Sequence, residues 1–190
     1  MCAIIGLIGG GARTPKLVER LAATMSHRGP DDRGAWTDQE AGIAFGHCRL
    51  AIIDPSPLGH QPMSSGDGRW VITYNGEIYN HLELRTELEQ GRSQVKWRGH
   101  SDTETLLEAI AHWGLEPTLA RLVGMFAFAL WDRDCRKLYL VRDRFGEKPL
   151  YYGWVGADFL FASELKAMRA HPGFSNEVSR EAVQALASRT

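Results

Sequence analysis

The sequence predicts an α+β fold rich in antiparallel strands. Short apolar segments typical of strands outnumber those with helical spacing, and short turns join many of them. Glycine (20 residues) and proline (8 residues) interrupt the chain often, which favours short elements. A doubly wound parallel sheet would need strands and helices in strict alternation, so this pattern disfavours it.

The N-terminal part of the chain begins with a strand and a helix. The apolar run at residues 2–8 predicts a buried strand, and residues 16–25 carry apolar side chains at helical spacing. The segment at 26–34 is rich in glycine, proline and aspartate, and therefore predicts a loop. Residues 43–47 predict a further strand.

The middle of the chain adds one strand and two helices. Residues 70–74 alternate in polarity like a strand, which should end at the turn-forming pair Asn75-Gly76. Residues 81–89 resemble a helix. The segment SDTE at 101–104 has the form of a capping box and should open a helix that ends near Gly114.

The C-terminal part returns to strands. Residues 126–131 and 137–142 predict a hairpin, residues 150–152 and 159–162 continue the strand pattern, and residues 164–170 predict a helix. A length of 190 residues corresponds to one domain. We place that domain at residues 1–170, with 171–190 as a tail or the start of a linker.

Composition excludes several classes of protein. The formal net charge of −1 gives no electrostatic basis for binding nucleic acid or an anionic membrane. The longest apolar run, at residues 2–8, is far shorter than the roughly 20 residues that a membrane-spanning helix needs. Three cysteines at wide spacing argue against a disulfide framework and predict a reducing, cytoplasmic location.

Cys2 is a candidate nucleophile. If Met1 is removed, the α-amine of Cys2 lies beside its own thiol, and an α-amine has a pKa of about 7.7–8.0. Such an amine is partly unprotonated near neutral pH and can take the thiol proton, which activates the sulfur. Judged by position alone, a buried structural cysteine on the first strand is the more common case.

The sequence gives little indication of a phosphate-binding or metal-binding site. The glycine run at 9–11 follows a strand but lacks the lysine and hydroxyl of a phosphate loop. His27, His47 and His60 match no metal-ligand spacing, and we interpret them as structural. The pair Asp31-Asp32 is expected to form ion pairs with the neighbouring Arg28 and Arg33 rather than to bind a metal.

Six motifs, together with Cys2, resemble the glutaminase domains of asparagine synthetases, which are class II glutamine amidotransferases with an N-terminal nucleophile. The motifs are HRGPDDRG at 27–34, GHCRLAIID at 46–54, GHQPM at 59–63, YNGEIYN at 74–80, SDTE at 101–104 and RDRFGEKPLYY at 142–152. The resemblance runs from residue 1 to about residue 168, in matching order and spacing. It implies the four-layer αββα sandwich of N-terminal-nucleophile hydrolases.

The resemblance also implies a role for each matching residue. Cys2 attacks the side-chain amide carbon of glutamine, while the Asn75 amide and the Gly76 N–H stabilise the oxyanion. Arg49 suits the substrate carboxylate because its planar guanidinium can bind two oxygens, and Asp102 suits the α-ammonium. The remaining implied residues are Leu50, Ile52, Ile53 and Glu77 at the glutamine site, with Arg28 and Asn80 in support.

Each of these residues also has an ordinary structural explanation. Without the resemblance, Asn75-Gly76 is a turn, Arg49 is a partner in a surface salt bridge, and Asp102 belongs to a helix start. Ala3 stands where the family has glycine, which adds a methyl group beside the nucleophile.

The resemblance implies a domain without a cofactor or metal. ATP and Mg²⁺ belong to a synthetase domain whose motif Ser-Gly-Gly-x-Asp-Ser is absent from this sequence. The predicted partners are glutamine, that synthetase domain in cis and a second copy in a homodimer, but neither nucleic acid nor a membrane. Two alternatives stay open: a glutaminase half that serves a sugar or peptide acceptor, and a non-catalytic module that binds glutamine or has a regulatory role.

Overall fold

Nine strands form two antiparallel sheets in the computed structural model, which describes residues 1–13, 15–90 and 95–188. The strands are β1 (Ala3–Ile8), β2 (Asp32–Asp38), β3 (Ile43–Arg49), β4 (Met63–Ser64), β5 (Trp70–Ile78), β6 (Gly124–Asp132), β7 (Lys137–Arg142), β8 (Tyr151–Val155) and β9 (Asp158–Ala162). One sheet has the order β2-β3-β1-β9-β8 and the other has the order β4-β5-β6-β7. The helices are α1 (Pro15–Ala23), α2 (His81–Gln90), α3 (Asp102–Trp113), α4 (Leu115–Arg121), α5 (Leu165–Arg169) and α6 (Arg180–Ala187).

Three apolar layers hold the sheets and helices together. One lies between the first sheet and α1, where Leu21 packs against Ile5. A second lies between the second sheet and α3, where Leu106 packs against Ile72. The third lies between the two sheets and is built around Phe45. This arrangement is a four-layer αββα sandwich, and it confirms the predicted fold class.

The alternation of side chains along each strand decides what faces the space between the sheets. In β1, Ile4 faces the other sheet, so Cys2, two residues earlier, falls on the same side. In β3, Phe45 faces inward and Arg49 follows it at an even spacing. In β5 the same rule directs Asn75 inward. Cys2, Arg49 and Asn75 therefore meet at one end of the sandwich.

Strand β5 extends further than the sequence indicated. Instead of turning at Asn75-Gly76, it continues to Ile78 and pairs with β6 throughout. A Cβ atom on Gly76 would lie 2.5 Å from the carbonyl oxygen of Met125, so a side chain there would collide with β6. The glycine serves close strand packing, and its interpretation as a turn was wrong.

The predicted loop at 26–34 was also partly wrong, because β2 begins at Asp32 and pairs with β3. Strand β2 is a partly exposed edge strand, and its mixture of charges and glycine hides the strand pattern. The predicted ion pairs do not form either. Asp32 contacts His60 at 2.7 Å, Asp31 accepts a hydrogen bond from the Ala51 N–H, and Arg28 pairs with Glu164.

The start of α3 forms one of the two hydrogen bonds of the capping box that the sequence predicts. The Ser101 hydroxyl accepts a hydrogen bond from the Glu104 N–H at 3.1 Å, as a capping box requires. The Glu104 carboxylate binds the backbone N–H groups of Arg98 and Gly99 instead of that of Ser101. The helix ends at Gly114, whose φ of +87° breaks it as expected.

The C-terminal segment contains a helix that the sequence did not indicate. Helix α6 lies within residues 171–190, and each of its side chains that the structure describes is exposed. The boundary near residue 170 stays a prediction. Across the described residues, no helix combines the length and apolar character needed to cross a membrane.

Asp132 ties together the ends of β5, β6 and the β6–β7 turn. Its buried carboxylate accepts hydrogen bonds from Nε and Nη2 of Arg69, at 3.0 and 2.6 Å, and from the N–H groups of Asp134 and Cys135. The Arg69 hydrogen bond is the main reason why the pKa of Asp132 falls to about 2. Because this pKa lies below the unfolded value of about 3.9, the stabilisation is complete above that pH. It disappears as the pH falls through the folded pKa.

We expect Asp132→Asn to lower the free energy of unfolding by about 2 kcal/mol at pH 7, the scale of a hydrogen bond to a charged group. Denaturant titrations followed by circular dichroism would measure the loss. The difference from wild type should shrink as the pH falls from about 4 towards about 2. Asp134→Asn is the matched control, since that carboxylate is exposed and 3.5 Å from Arg69. A difference independent of pH would contradict this assignment.

Candidate active site

A cavity of about 120 Å³ opens where β1 begins and β3 and β5 end, beside the start of α3. It brings together the residues for which the sequence implied catalysis or glutamine binding. These are Cys2, Arg49, Leu50, Ile52, Ile53, Asn75, Gly76, Glu77 and Asp102. The residues come from four separate parts of the chain, so their convergence is a result of the fold.

The Cys2 thiol lies against the backbone of Leu50. The Leu50 N–H donates to the sulfur at 3.4 Å, and the sulfur lies 3.6 Å from the Leu50 carbonyl oxygen. Burial raises the pKa of the Cys2 thiol, although the Leu50 N–H and the charge of the N-terminus oppose this effect. A buried thiol of this kind needs a base to become a nucleophile.

Arg28 contacts the backbone of Cys2 from outside the cavity. Its Nε donates to the Cys2 carbonyl oxygen at 3.1 Å, and its Nη1 lies 3.1 Å from the Glu164 carboxylate. Glu164 also pairs with Lys166, and together with Arg28 this lowers the pKa of Glu164. The amino group of Met1 donates to the Arg28 carbonyl at 3.2 Å. The position of Cys2 thus depends on a charged cluster at the start of α5.

Asn75 and Gly76 present two hydrogen-bond donors to the cavity. The side-chain Nδ2 of Asn75 is buried and has no hydrogen-bond partner among the described residues. The backbone groups of Phe126, opposite Gly76, bond to Asp143 on the far side of β6. Gly76 therefore sits at a position where its own N–H points away from β6, on the side of the strand where the cavity lies.

Arg49 is a buried cation without an ion-pair partner among the described residues. Its Nη1 donates to the Ser56 carbonyl at 2.9 Å, and its Nη2 donates to the Asp54 carbonyl. A Cβ atom on Gly59 would overlap the guanidinium, so glycine is needed there. The alternative interpretation of Arg49 as a partner in a surface salt bridge is therefore wrong. A buried guanidinium without a carboxylate favours an anion in the cavity.

Asp102 is the complementary buried anion. Its Oδ2 accepts hydrogen bonds from the Tyr74 hydroxyl at 2.8 Å and the Ile78 N–H at 3.0 Å, and its Oδ1 accepts from the Thr103 N–H. Burial raises the pKa of Asp102, while these hydrogen bonds lower it. Among the described residues no cation forms an ion pair with it. Arg49 and Asp102 thus give the cavity buried charges of both signs, which suits a zwitterionic amino acid.

Asn80 lies outside the cavity. Its Nδ2 donates to the Arg121 carbonyl at 2.9 Å, and its Oδ1 accepts from the Val123 N–H at 3.0 Å. These contacts tie the end of β5 to the connection between α4 and β6. The structure therefore gives Asn80 a place in the scaffold, apart from the cavity that the sequence associated it with.

The cavity is also lined by residues for which the sequence indicated no role, among them Gln61, Tyr74, Met125 and Lys148. Gln61 and Lys148 belong to the motifs at 59–63 and 142–152, so the signal was present without an assignment. Lys148 is buried, and its Nζ lies 3.4 Å from the Met1 sulfur. No group of three or more side chains suited to a metal occurs in the described parts of the chain.

We expect the Cys2 thiol to ionise only at a pH above that of an exposed cysteine, because burial disfavours the thiolate. Iodoacetamide labelling of the chain that retains Met1, followed by mass spectrometry of the N-terminal peptide, would give the midpoint of ionisation. The same chain in concentrated urea is the control, with a midpoint near about 8.5. A folded-state midpoint at or below the control would contradict the effect of burial.

The chain matches the glutamine amidotransferase domain family over residues 1–190. Glutamine-hydrolysing asparagine synthetase 3 of Bacillus subtilis is 40% identical, and the match covers 95% of this chain and 29% of that protein. A putative glutamine-hydrolysing asparagine synthetase of Mycobacterium bovis is 38% identical over 97% of this chain and 30% of its own length. Amidase chry2 of Gibberella zeae is 37% identical over 90% of this chain and 26% of its own length.

Solved structures agree on the fold. Glutamine phosphoribosylpyrophosphate amidotransferase from B. subtilis superposes with a TM-score of 0.73 at 22% identity, over 89% of this chain and 43% of that chain. At this identity the similarity concerns the fold alone. The chain spans less than a third of the length of each sequence relative described above.

Proposed function

The chain belongs to the glutamine amidotransferase domain family, and from that premise we propose that it hydrolyses glutamine to glutamate and ammonia, with Cys2 as the nucleophile. The observation that carries the proposal is the buried, unpartnered Nδ2 of Asn75 in the same cavity as the Cys2 thiol. A buried amide donor without an acceptor is costly unless a ligand oxygen uses it.

The reaction divides into two acyl-transfer steps. The Cys2 sulfur attacks the side-chain amide carbon of glutamine, the C–N bond breaks, and the thiol proton leaves with ammonia. Water then attacks the γ-glutamyl thioester, the C–S bond breaks, and glutamate and the free thiol result. Each step passes through a tetrahedral oxyanion, for which the Asn75 amide and the Gly76 N–H are the donors.

Substrate recognition in this proposal relies on the two buried charges. The Arg49 guanidinium binds the α-carboxylate and Asp102 binds the α-ammonium, so each unpaired charge gains a partner when glutamine binds. Glu77, with the cavity-lining residues Leu50, Ile52 and Ile53, completes the glutamine site. Arg28 supports the nucleophile by holding the Cys2 carbonyl.

Removal of Met1 supplies the base. The raised pKa of the buried Cys2 thiol means that the sulfur needs a proton acceptor. The α-amine of a processed Cys2 is a base of suitable pKa, about 7.7–8.0, on the same residue. An acylated nitrogen cannot take that proton, so the chain that retains Met1 should be inactive.

The fate of the ammonia follows from the relatives. Their names associate this domain with glutamine-hydrolysing asparagine synthesis, so we propose that a further domain of the full protein uses ATP and Mg²⁺ to activate aspartate for the ammonia. In this arrangement residues 1–170 form the amidotransferase domain, and 171–190, with its exposed helix α6, begin the linker. We also propose a cytosolic location, because three widely spaced cysteines indicate a reducing compartment, and a homodimer as the assembly.

A second acceptor remains a candidate because one relative carries the name amidase chry2. Glutamine hydrolysis would be the same in that case, and the acceptor would differ. A non-catalytic module that binds glutamine explains the two buried charges, but it leaves the unpartnered Asn75 amide beside Cys2 without a purpose.

Cys2→Ala should abolish ammonia release from glutamine in protein from which Met1 has been removed. Cys135→Ala is the matched control, because Cys135 is exposed in the β6–β7 turn. Coupled detection of glutamate gives the rate for each protein. The unprocessed chain should match the Cys2→Ala variant, and equal activity with and without Met1 would show that another group is the base.

Replacement of the oxyanion donor Asn75 should affect kcat, whereas replacement of the charged residue Asp102 should affect the KM for glutamine. Asn75→Ala should lower kcat by about 10²–10³-fold, since its donor acts in the transition state. Asp102→Asn should mainly raise the KM for glutamine, because the ammonium is remote from the reacting amide. Steady-state kinetics on both variants would test this division. An unchanged kcat for Asn75→Ala would remove the amide from the mechanism.

A further inference from the structure

Strand β5 loses its neighbour just before the catalytic residues. The short strand β4 pairs with Val71 and Ile72, and in the part of the chain that the structure describes no strand continues beside Tyr74 on that side. Two side chains replace the missing strand. The Tyr74 N–H donates to Oε1 of Gln61 at 2.7 Å, and the Tyr74 carbonyl lies 3.0 Å from Nε2 of His47.

The partner of His47 fixes its tautomer. A carbonyl oxygen can only accept, so Nε2 of His47 carries the proton and donates to Tyr74. The other ring nitrogen, Nδ1, is buried and has no hydrogen-bond partner among the described residues. Burial lowers the pKa of His47 to about 4, so the ring is neutral near pH 7. His47 is therefore a fixed donor of one hydrogen bond.

The hydrogen bond from His47 acts on the peptide group that leads into Asn75. The Tyr74 carbonyl and the Asn75 N–H belong to one planar unit, so a contact that holds the carbonyl also holds the N–H and the Cα of Asn75. The direction of the Asn75 side chain and the position of the next N–H, on Gly76, follow from that plane.

We propose that His47 is a positioning residue for glutamine hydrolysis, which aligns the two oxyanion donors through the Tyr74 carbonyl. This inference rests on the proposed function. His47 is not among the residues that line the cavity, so its contact with the Tyr74 carbonyl is its link to the site. Its effect falls on the transition state because glutamine is held by Arg49 and Asp102, while the donors that it aligns act when the oxyanion forms.

The test compares His47→Leu with His47→Gln in protein from which Met1 has been removed. Leucine fills the space without a donor, and we expect kcat to fall by about 10–100-fold with little change in the KM for glutamine, as misaligned catalytic groups produce. Glutamine can place an amide N–H near the position of Nε2, so His47→Gln should restore most of the rate. Rates are normalised to the fraction of Cys2 that iodoacetamide labels in the folded protein.

A second measurement separates alignment from general stability. Glutamate γ-semialdehyde forms a tetrahedral adduct with Cys2: the S–C bond forms and the thiol proton passes to the aldehyde oxygen, which occupies the oxyanion position. Its inhibition constant should rise in His47→Leu by the same factor as kcat falls. Thr73→Val is the matched control, because the Thr73 hydroxyl also links β5 to β3, at 3.3 Å from the Gly46 carbonyl. It should leave both constants within about 3-fold of wild type.

Distinct results would overturn the two proposals. If Asn75→Ala loses kcat but His47→Leu keeps it, the inference about His47 fails and the proposed function stands. Equal losses in His47→Leu and His47→Gln, or in Thr73→Val, would mean that His47 acts through stability and would also overturn the inference. If Cys2→Ala keeps full activity, the proposed function itself fails.

Discussion

The pairing of β5 with β6 is the constraint on which the site depends. Because β5 stays in register with β6 as far as Ile78, side chains and N–H groups near its end have fixed directions. That register sends Asn75 between the sheets and leaves Gly76 with an N–H that points away from β6. Glycine at 76 permits the close approach to Met125 on which the pairing relies. The donors of the site are thus a consequence of strand geometry.

The elements with clear periodicity could be predicted from the sequence. Strand β1, helix α3 and the β6–β7 hairpin carry apolar patterns that depend on a single packed face. Strand β2 could not be predicted in the same way, because an edge strand with charges and glycine has no such face. The predicted end of β5 was wrong for a related reason. The pair Asn75-Gly76 commonly forms a turn, and only contact with β6 selects the extended conformation.

The composition of the site was largely accessible through motifs, whereas its supporting contacts were not. Cys2, Arg49 and Asp102 belong to separate motifs, and their meeting in one cavity follows from the sandwich. The hydrogen bonds that join Tyr74 to Gln61 and His47 depend on where β4 ends, which no local pattern encodes. Asn80 illustrates the converse, since its motif contains residues that line the cavity while its own side chain binds backbone groups of Arg121 and Val123.

The placement of β1 between β3 and β9 has a consequence for biosynthesis. The N-terminal strand gains its second neighbour only after residues 158–162 have left the ribosome, and Arg28 gains Glu164 at the same stage. During most of translation Cys2 would thus precede a strand that is paired on one side only. In the folded protein Met1 is still 55% exposed, so completion of the sheet around β1 does not bury the N-terminus.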